Sequence, residues 1–231
     1  MPAMDEAPPQ QLIQTQKAEA IGRLAGDVAH DLNDILTVIT GYANVLLNSE
    51  GCTQDMREPL SQIFVAGSRA TDRTRDLMAF SPGAGCKPAA RGPAPAAPGS
   101  PGGDGGETIL LVEDEDSVRD FAAAVLKRSG YRVLQARSGV DALDVWKWHS
   151  PRISLLFTDL VMCDAMTGLE LADRLLSEKP ALKVVCTSGY TEERLAGGRV
   201  SPGFIQFLQK PYQPRELAAA VRSALAPSPV K

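Results

Sequence analysis

TILLVED (108–114), ISLLFTDL (153–160), KVVCTSGY (183–190) and FIQFLQKPY (204–212) follow one plan: a short, largely apolar run breaks off into polar residues able to do chemistry. With a further run near Tyr131–Gln135, they define strands at Thr108–Val112, Tyr131–Gln135, Ile153–Phe157, Lys183–Thr187 and Phe204–Leu208. Helical stretches fall near Ser117–Ser129, Gly139–Trp148, Gly168–Ser177, Thr191–Ala196 and Arg215–Leu225. Five strands alternating with helices predict an α/β domain built on a doubly wound, five-stranded parallel sheet. In such sheets the working residues collect at the carboxyl ends of the strands. Here those ends carry Glu113 and Asp114, Asp159, Ser188 and Lys210.

Carboxylates gathered from two strand ends repel one another and raise each other's pKa unless a hard cation lies between them. Oxygen ligands with room for water suit Mg²⁺. An ammonium group and a hydroxyl close by would complete a cradle for a phosphoryl group on Asp159, a carboxylate nucleophile.

LLVEDED, LLFTDLVM, TSGY and FLQKPY, in that order, resemble the receiver domain of bacterial response regulators over about residues 107–226. The resemblance implies a flavodoxin-like fold, Asp159 as phosphoacceptor, and Glu113 and Asp114 as the acidic pair holding Mg²⁺. It further implies a metal ligand in the backbone carbonyl of Val161, a switch hydroxyl in Ser188, a switch aromatic in Phe207, a phosphoryl contact from Lys210 and a cis Lys210–Pro211 peptide. Cys163 and Asp164 depart from the family pattern, which usually has Pro followed by a small residue there, so the stiffness of the loop beside Asp159 is an open point.

Residues 81–106 contain 8 Gly, 6 Pro and 6 Ala and offer almost nothing large to bury, so they read as a linker that divides the chain. As a coil, its ends would lie roughly 25 to 31 Å apart. Ahead of it, Ile21, Ala25, Val28, Leu32, Ile35, Ile39, Tyr42 and Leu46 alternate spacings of four and three, a heptad seam on one helix from about Leu12 to Leu47. Leu60, Ile63, Gly67, Ala70, Thr74 and Leu77 continue the alternation on a second helix. The pair predicts an antiparallel hairpin, too small for a full core, that would pair with a second copy into a homodimeric four-helix bundle. The expected organisation is a disordered N-terminus (1–10), hairpin (11–80), linker (81–106), receiver (107–226) and C-terminal tail (227–231).

His30 lies off the apolar seam and is expected to face solvent. The stretch QKAEAIGRLAGDVAHDLNDILTVITGYANVLL resembles the dimerisation and histidine-phosphotransfer domain of bacterial histidine kinases, in the subgroup whose motif is His-Asp-Phe-Asn-Asn. That resemblance implies His30 as phosphoacceptor, Asp31 as its acid/base partner and Asn33 on the same exposed turn. Asp34 stands where the family has an amide or threonine, and its charge would oppose a phosphoryl dianion, so weak phosphatase activity is expected. Trp146 and Trp148 read as packing residues, and His149 as a surface residue or helix cap.

Kinases of this kind carry an ATP-binding domain between hairpin and receiver, and 26 linker residues are too few for one. The expectation is a phosphorelay protein moving a phosphoryl group between His30 and Asp159 with Mg²⁺, without ATP-dependent autophosphorylation. Its partners would be a histidine kinase, a response regulator or a phosphotransfer protein. The alternatives are a dimeric receiver switch phosphorylated by another kinase, and a kinase completed in trans by a separate ATP-binding domain.

The formal net charge of −4, from 24 Lys plus Arg against 28 Asp plus Glu, gives no reason to expect nucleic acid or an anionic membrane as partner. No apolar run reaches the length of a membrane span, and Cys52, Cys86, Cys163 and Cys186 lack ligand spacing, so a cytoplasmic protein without zinc or disulfides is expected.

Overall fold

The computed structural model describes residues 9–79, 106–162, 166–189 and 205–226. The expected linker, most of the N-terminal and C-terminal tails, Cys163, Asp164 and the helix near Thr191–Ala196 lie outside the described residues. The chain begins with two long helices, α1 (Pro9–Leu47) and α2 (Gln54–Ala79), forming the hairpin. Ala29, Leu36, Thr40 and Ala43 of α1 are buried, and Gly67 of α2 lies so close that an added Cβ would sit 2.5 Å from Thr40 Cγ2. Buried hydroxyls on this face are satisfied within the helix: Thr37 Oγ1 donates to the Asn33 carbonyl (2.7 Å) and Thr40 Oγ1 to that of Leu36 (2.6 Å).

The packed stripe is not the heptad seam. It runs one residue later, about 100° around the helix. Seam residues Val28, Leu32, Ile35, Ile39, Tyr42 and Leu46 are instead between 36% and 53% exposed in the single chain.

The second unit is a parallel five-stranded sheet, β1 (Thr108–Val112), β2 (Arg132–Ala136), β3 (Ile153–Asp159), β4 (Lys183–Ser188) and β5 (Ile205–Gln209), in the order β2-β1-β3-β4-β5. That is the flavodoxin-like order expected from the sequence, with the topological switch between β1 and β3. Helices α3 (Asp116–Arg128) and α6 (Pro214–Leu225) cover one face, while α4 (Gly139–His149) and α5 (Gly168–Glu178) cover the other. The alternation of a strand separates the two cores. Ile109 and Leu111 of β1 pack with Phe121, Leu126 and Val221, whereas Leu110 and Val112 pack with Ala142, Leu171 and Leu175. Covered on both sides, β1 is buried at every position, and its sequence is accordingly an unbroken apolar run after Thr108.

Helix starts are fixed locally. Ser138 accepts a hydrogen bond from the Asp141 amide at α4 (3.1 Å), and Thr167 with Glu170 forms a capping box at α5. Trp146 is 3% exposed and its indole N–H donates to Glu178 (2.7 Å), tying α4 to α5. Trp148, read from the sequence as a packing residue, is 83% exposed, because it lies about 200° around α4 from Trp146.

The hairpin rests on this second unit. The Phe121 ring of α3 sits over Gly41 of α1, where an added Cβ would lie 2.2 Å from Phe121 Cζ. The Tyr42 ring meets the same phenylalanine edge-on at 5.2 Å, and Gln213 Nε2 donates to Thr40 Oγ1 at 3.4 Å. The middle of α1 thereby lies across α3 and the start of α6, beside the carboxyl edge of the sheet.

One glycine links helix packing to the strand end that matters most. A Cβ on Gly168, at the start of α5, would lie 1.9 Å from the backbone oxygen of Asp159. Gly168→Ala is expected to destabilise the receiver by about 2 to 3 kcal/mol in urea unfolding. An unchanged midpoint would show that α5 can shift away freely.

Candidate functional site

Asp159 ends β3, is fully buried, and accepts a hydrogen bond from the Val161 amide through Oδ1 (3.0 Å). Its Oδ2 meets the ammonium group of Lys210 in a short ion pair. Lys210 follows β5, anchored by its own amide donating to the Ser188 carbonyl (2.8 Å), and the Lys210–Pro211 peptide is cis as the resemblance implied. Glu113 follows β1, with its amide donating to the Ala136 carbonyl (3.2 Å) and its Oε2 lying 2.9 Å from Lys210 Nζ.

A third carboxylate arrives from the other unit. Asp34 Oδ1 lies 2.8 Å from Lys210 Nζ, and Asp34 Oδ2 lies 3.4 Å from His30 Nε2. One buried ammonium therefore meets Asp34, Glu113 and Asp159, which each offer a carboxylate oxygen within 4.8 Å of the others. Burial outweighs the attraction of Lys210 and pushes Glu113 up to about 8. It also raises Asp34. The reverse balance holds for Lys210, whose three acidic neighbours keep it charged against the penalty of burial. Glu113 Oε1 and His30 Nδ1 are buried without a hydrogen-bond partner.

The structure brings Glu113, Asp159 and Lys210 of the sequence-derived site together. Ser188 ends β4 and is 4% exposed; Phe207, in the middle of β5, packs partly buried against the α4–α5 core. Asp114, expected beside Glu113 in the metal set, is half-buried and lies outside the three-carboxylate group found among the described residues; Asp34 is in it instead. Arg119 donates to the Glu113 and Asp114 carbonyls (2.8 and 3.4 Å) and so braces this acidic turn, a role the sequence did not signal. Asp31 is exposed, and the carboxylate His30 meets is Asp34. A residue four positions on shares a helix face, whereas the next residue lies about 100° away. His30 itself, expected in solvent, has a side chain only 17% exposed because the second unit occupies that side of α1. Cys186 is buried, and its thiol is pushed up to about 12, so it stays protonated behind the site.

The donor set fits a hard cation: buried carboxylates outnumber the ammonium, and one carboxylate oxygen of Glu113 is unused. Fold and site together define a receiver module of two-component signalling. The family model for the response regulator receiver domain matches residues 109–222. The chain is 32% identical over 117 residues to the response regulator receiver protein CpdR of Brucella abortus, a match covering 51% of this chain and 95% of CpdR. This chain belongs to the response regulator receiver family. It is also 36% identical over 118 residues to the sensor kinase CckA of Brucella abortus, covering 51% of this chain and 12% of CckA. Among solved structures, the receiver domain of a hybrid histidine kinase CckA is 33% identical, covering 52% of this chain and 99% of that one, with a TM-score of 0.45. The receiver match begins at Ile109, so the hairpin lies outside it. No helix among the described residues is long and apolar enough to cross a membrane.

The burial of Glu113 has a measurable consequence. Its folded-state pKa is raised, so between about 4.5 and about 8 the folded chain holds a proton that the unfolded chain releases. With divalent cations chelated, stability is expected to fall as pH rises through that window and to level off above it. In Glu113→Gln the slope is expected to flatten when thermal midpoints are compared from about pH 5 to about pH 9. Parallel profiles for the two proteins would contradict the assignment.

Proposed function

We propose that this chain is a phosphorelay component in which His30 of a kinase-type hairpin and Asp159 of the receiver exchange a phosphoryl group. The observation that carries this reading is the continuous path from one acceptor to the other: His30 Nε2 to Asp34, Asp34 to Lys210, and Lys210 to Asp159. Asp34 stands where a phosphoryl group in transit would lie, and rotation of its side chain opens the line between imidazole nitrogen and carboxylate.

In the forward direction the bond between His30 Nε2 and phosphorus breaks, and that nitrogen recovers its lone pair. A carboxylate oxygen of Asp159 forms the new bond to phosphorus, giving an acyl phosphate. Lys210 offsets charge on the transferring group from a site that excludes water. Ser188, at the neighbouring strand end, supplies the hydroxyl that orders around the acyl phosphate, with Phe207 as the adjoining aromatic. Glu113, Asp159, the nearby Asp114 and the Val161 carbonyl would hold Mg²⁺, which neutralises phosphoryl oxygen charge when bound. Asp31, exposed on the next helical position, would exchange protons with solvent for the imidazole.

The exposed seam from Val28 to Leu46 supports homodimerisation of the hairpin into a four-helix bundle, with a second copy covering what α2 leaves open. The phosphoryl source would be a partner histidine kinase or phosphotransfer protein. The negative charge of Asp34 disfavours the water-directed loss of phosphate from Asp159.

The reading is tested by supplying labelled ATP and a separate kinase catalytic domain. Asp159→Asn is expected to trap acid-labile phosphate on His30. Wild type is expected to pass it to Asp159 as base-labile acyl phosphate, and His30→Gln to carry no label. By light scattering the same preparations are expected at twice 24.6 kDa. Full labelling of Asp159 in His30→Gln would replace the relay with a receiver phosphorylated directly by its kinase, and a monomeric mass would remove the bundle.

A further inference from the structure

The hairpin covers the receiver's reactive edge. Asp159 is fully buried, Glu113 and Lys210 are each 1% exposed, and the Asp34 and His30 side chains are 9% and 17% exposed. An outside phosphodonor has no path to Asp159 in this arrangement. Two of the contacts that hold the cover bear on its release. One is steric and apolar, with Phe121 seated over Gly41 and against Tyr42. The other is the ion pair between Asp34 and Lys210, made across the two units.

The second contact uses the same ammonium that pairs with Asp159. We propose that Asp34 is a latch that reads the phosphorylation state of the receiver: it closes the hairpin over an unphosphorylated Asp159 and is displaced once Asp159 carries a phosphoryl group. This rests on the reading of Asp159 as phosphoacceptor but not on His30 as the donor. Phosphorylation replaces the single carboxylate charge of Asp159 by an acyl phosphate carrying roughly −1.5 to −2 charges and three acceptor oxygens beside Lys210. Those oxygens compete for the ammonium that Asp34 holds, and their charge repels the Asp34 carboxylate across the same few ångströms. Asp34 and the phosphoryl group are alternative occupants of one place, so each weakens the other's hold. Lys210 keeps Glu113 and Asp159 as partners when Asp34 leaves, so release does not strand a buried charge. The hairpin is thus a cover over the receiver whose hold depends on the state of Asp159.

The test uses the full chain with phosphoramidate and Mg²⁺, following label on Asp159 and the radius of gyration by small-angle scattering. Asp34→Ala removes the ion pair, and Gly41→Leu wedges the interface apart at Phe121 without touching the acidic site. Both variants are expected to label about tenfold faster than wild type, the reciprocal of an open population of about 10%. Wild type is expected to expand on phosphorylation, and both variants to be expanded beforehand. Equal labelling rates at Asp159 in all three proteins, or a wild-type radius indifferent to phosphorylation, would overturn the latch. Equal labelling of wild type and Asp159→Asn would overturn the phosphoacceptor reading itself.

Discussion

Lys210 carries its ammonium group into a space where Asp159, Glu113 and Asp34 all reach it. Such a cluster adds little net stability, because desolvating the charges offsets most of their attraction. What it supplies is a group of buried carboxylate oxygens whose chemistry fits a hard cation. The raised pKa of Glu113 follows chiefly from its burial, which outweighs the pull of Lys210, with the neighbouring Asp159 and Asp34 adding to it. The docking of the hairpin brings the third carboxylate, Asp34, to the same ammonium from the other unit.

The rest of the receiver serves to hold this group in register. Asp159, Ser188 and Lys210 are placed by neighbouring parallel strands whose backbones pair from Leu155 with Lys183 through Ser188 with Gln209. Two separate cores lock the strands from either side, and Gly168 lets α5 start against the Asp159 carbonyl. Tyr212, fully buried between Phe121 and Phe157, packs the turn after Lys210 against the surface on which α1 rests.

The central strands β1, β3 and β4 were legible because both faces of the sheet cover them, so each has an apolar run (Ile109–Val112, Leu155–Phe157, Val184–Cys186) that ends in polar residues. The edge strand β5 was less sharply marked: its pattern suggested Phe204–Leu208, and it pairs as Ile205–Gln209. Asp114 follows Glu113 directly in the sequence, whereas the three carboxylates that cluster among the described residues include Asp34 from the hairpin, which no spacing in the sequence announces. The phase of His30 off the seam was readable, whereas the unit that would come to lie over it was not. No periodicity announces that Gly41 leaves room for Phe121, or that Asp34 reaches a lysine beyond the linker. Asp34 stood out as a departure from a motif, and its partner emerged only in three dimensions.

Everything that joins the hairpin to the acidic site passes through the direct pairing of Asp34 with Lys210. A double-mutant cycle with Asp34→Ala, Lys210→Met and the double variant, read by urea unfolding of the full chain with divalent cations chelated, tests it most directly. The account predicts a coupling energy of about 1 to 3 kcal/mol, as for buried residues in contact. Additivity within about 0.3 kcal/mol, as for residues that do not meet, would contradict it.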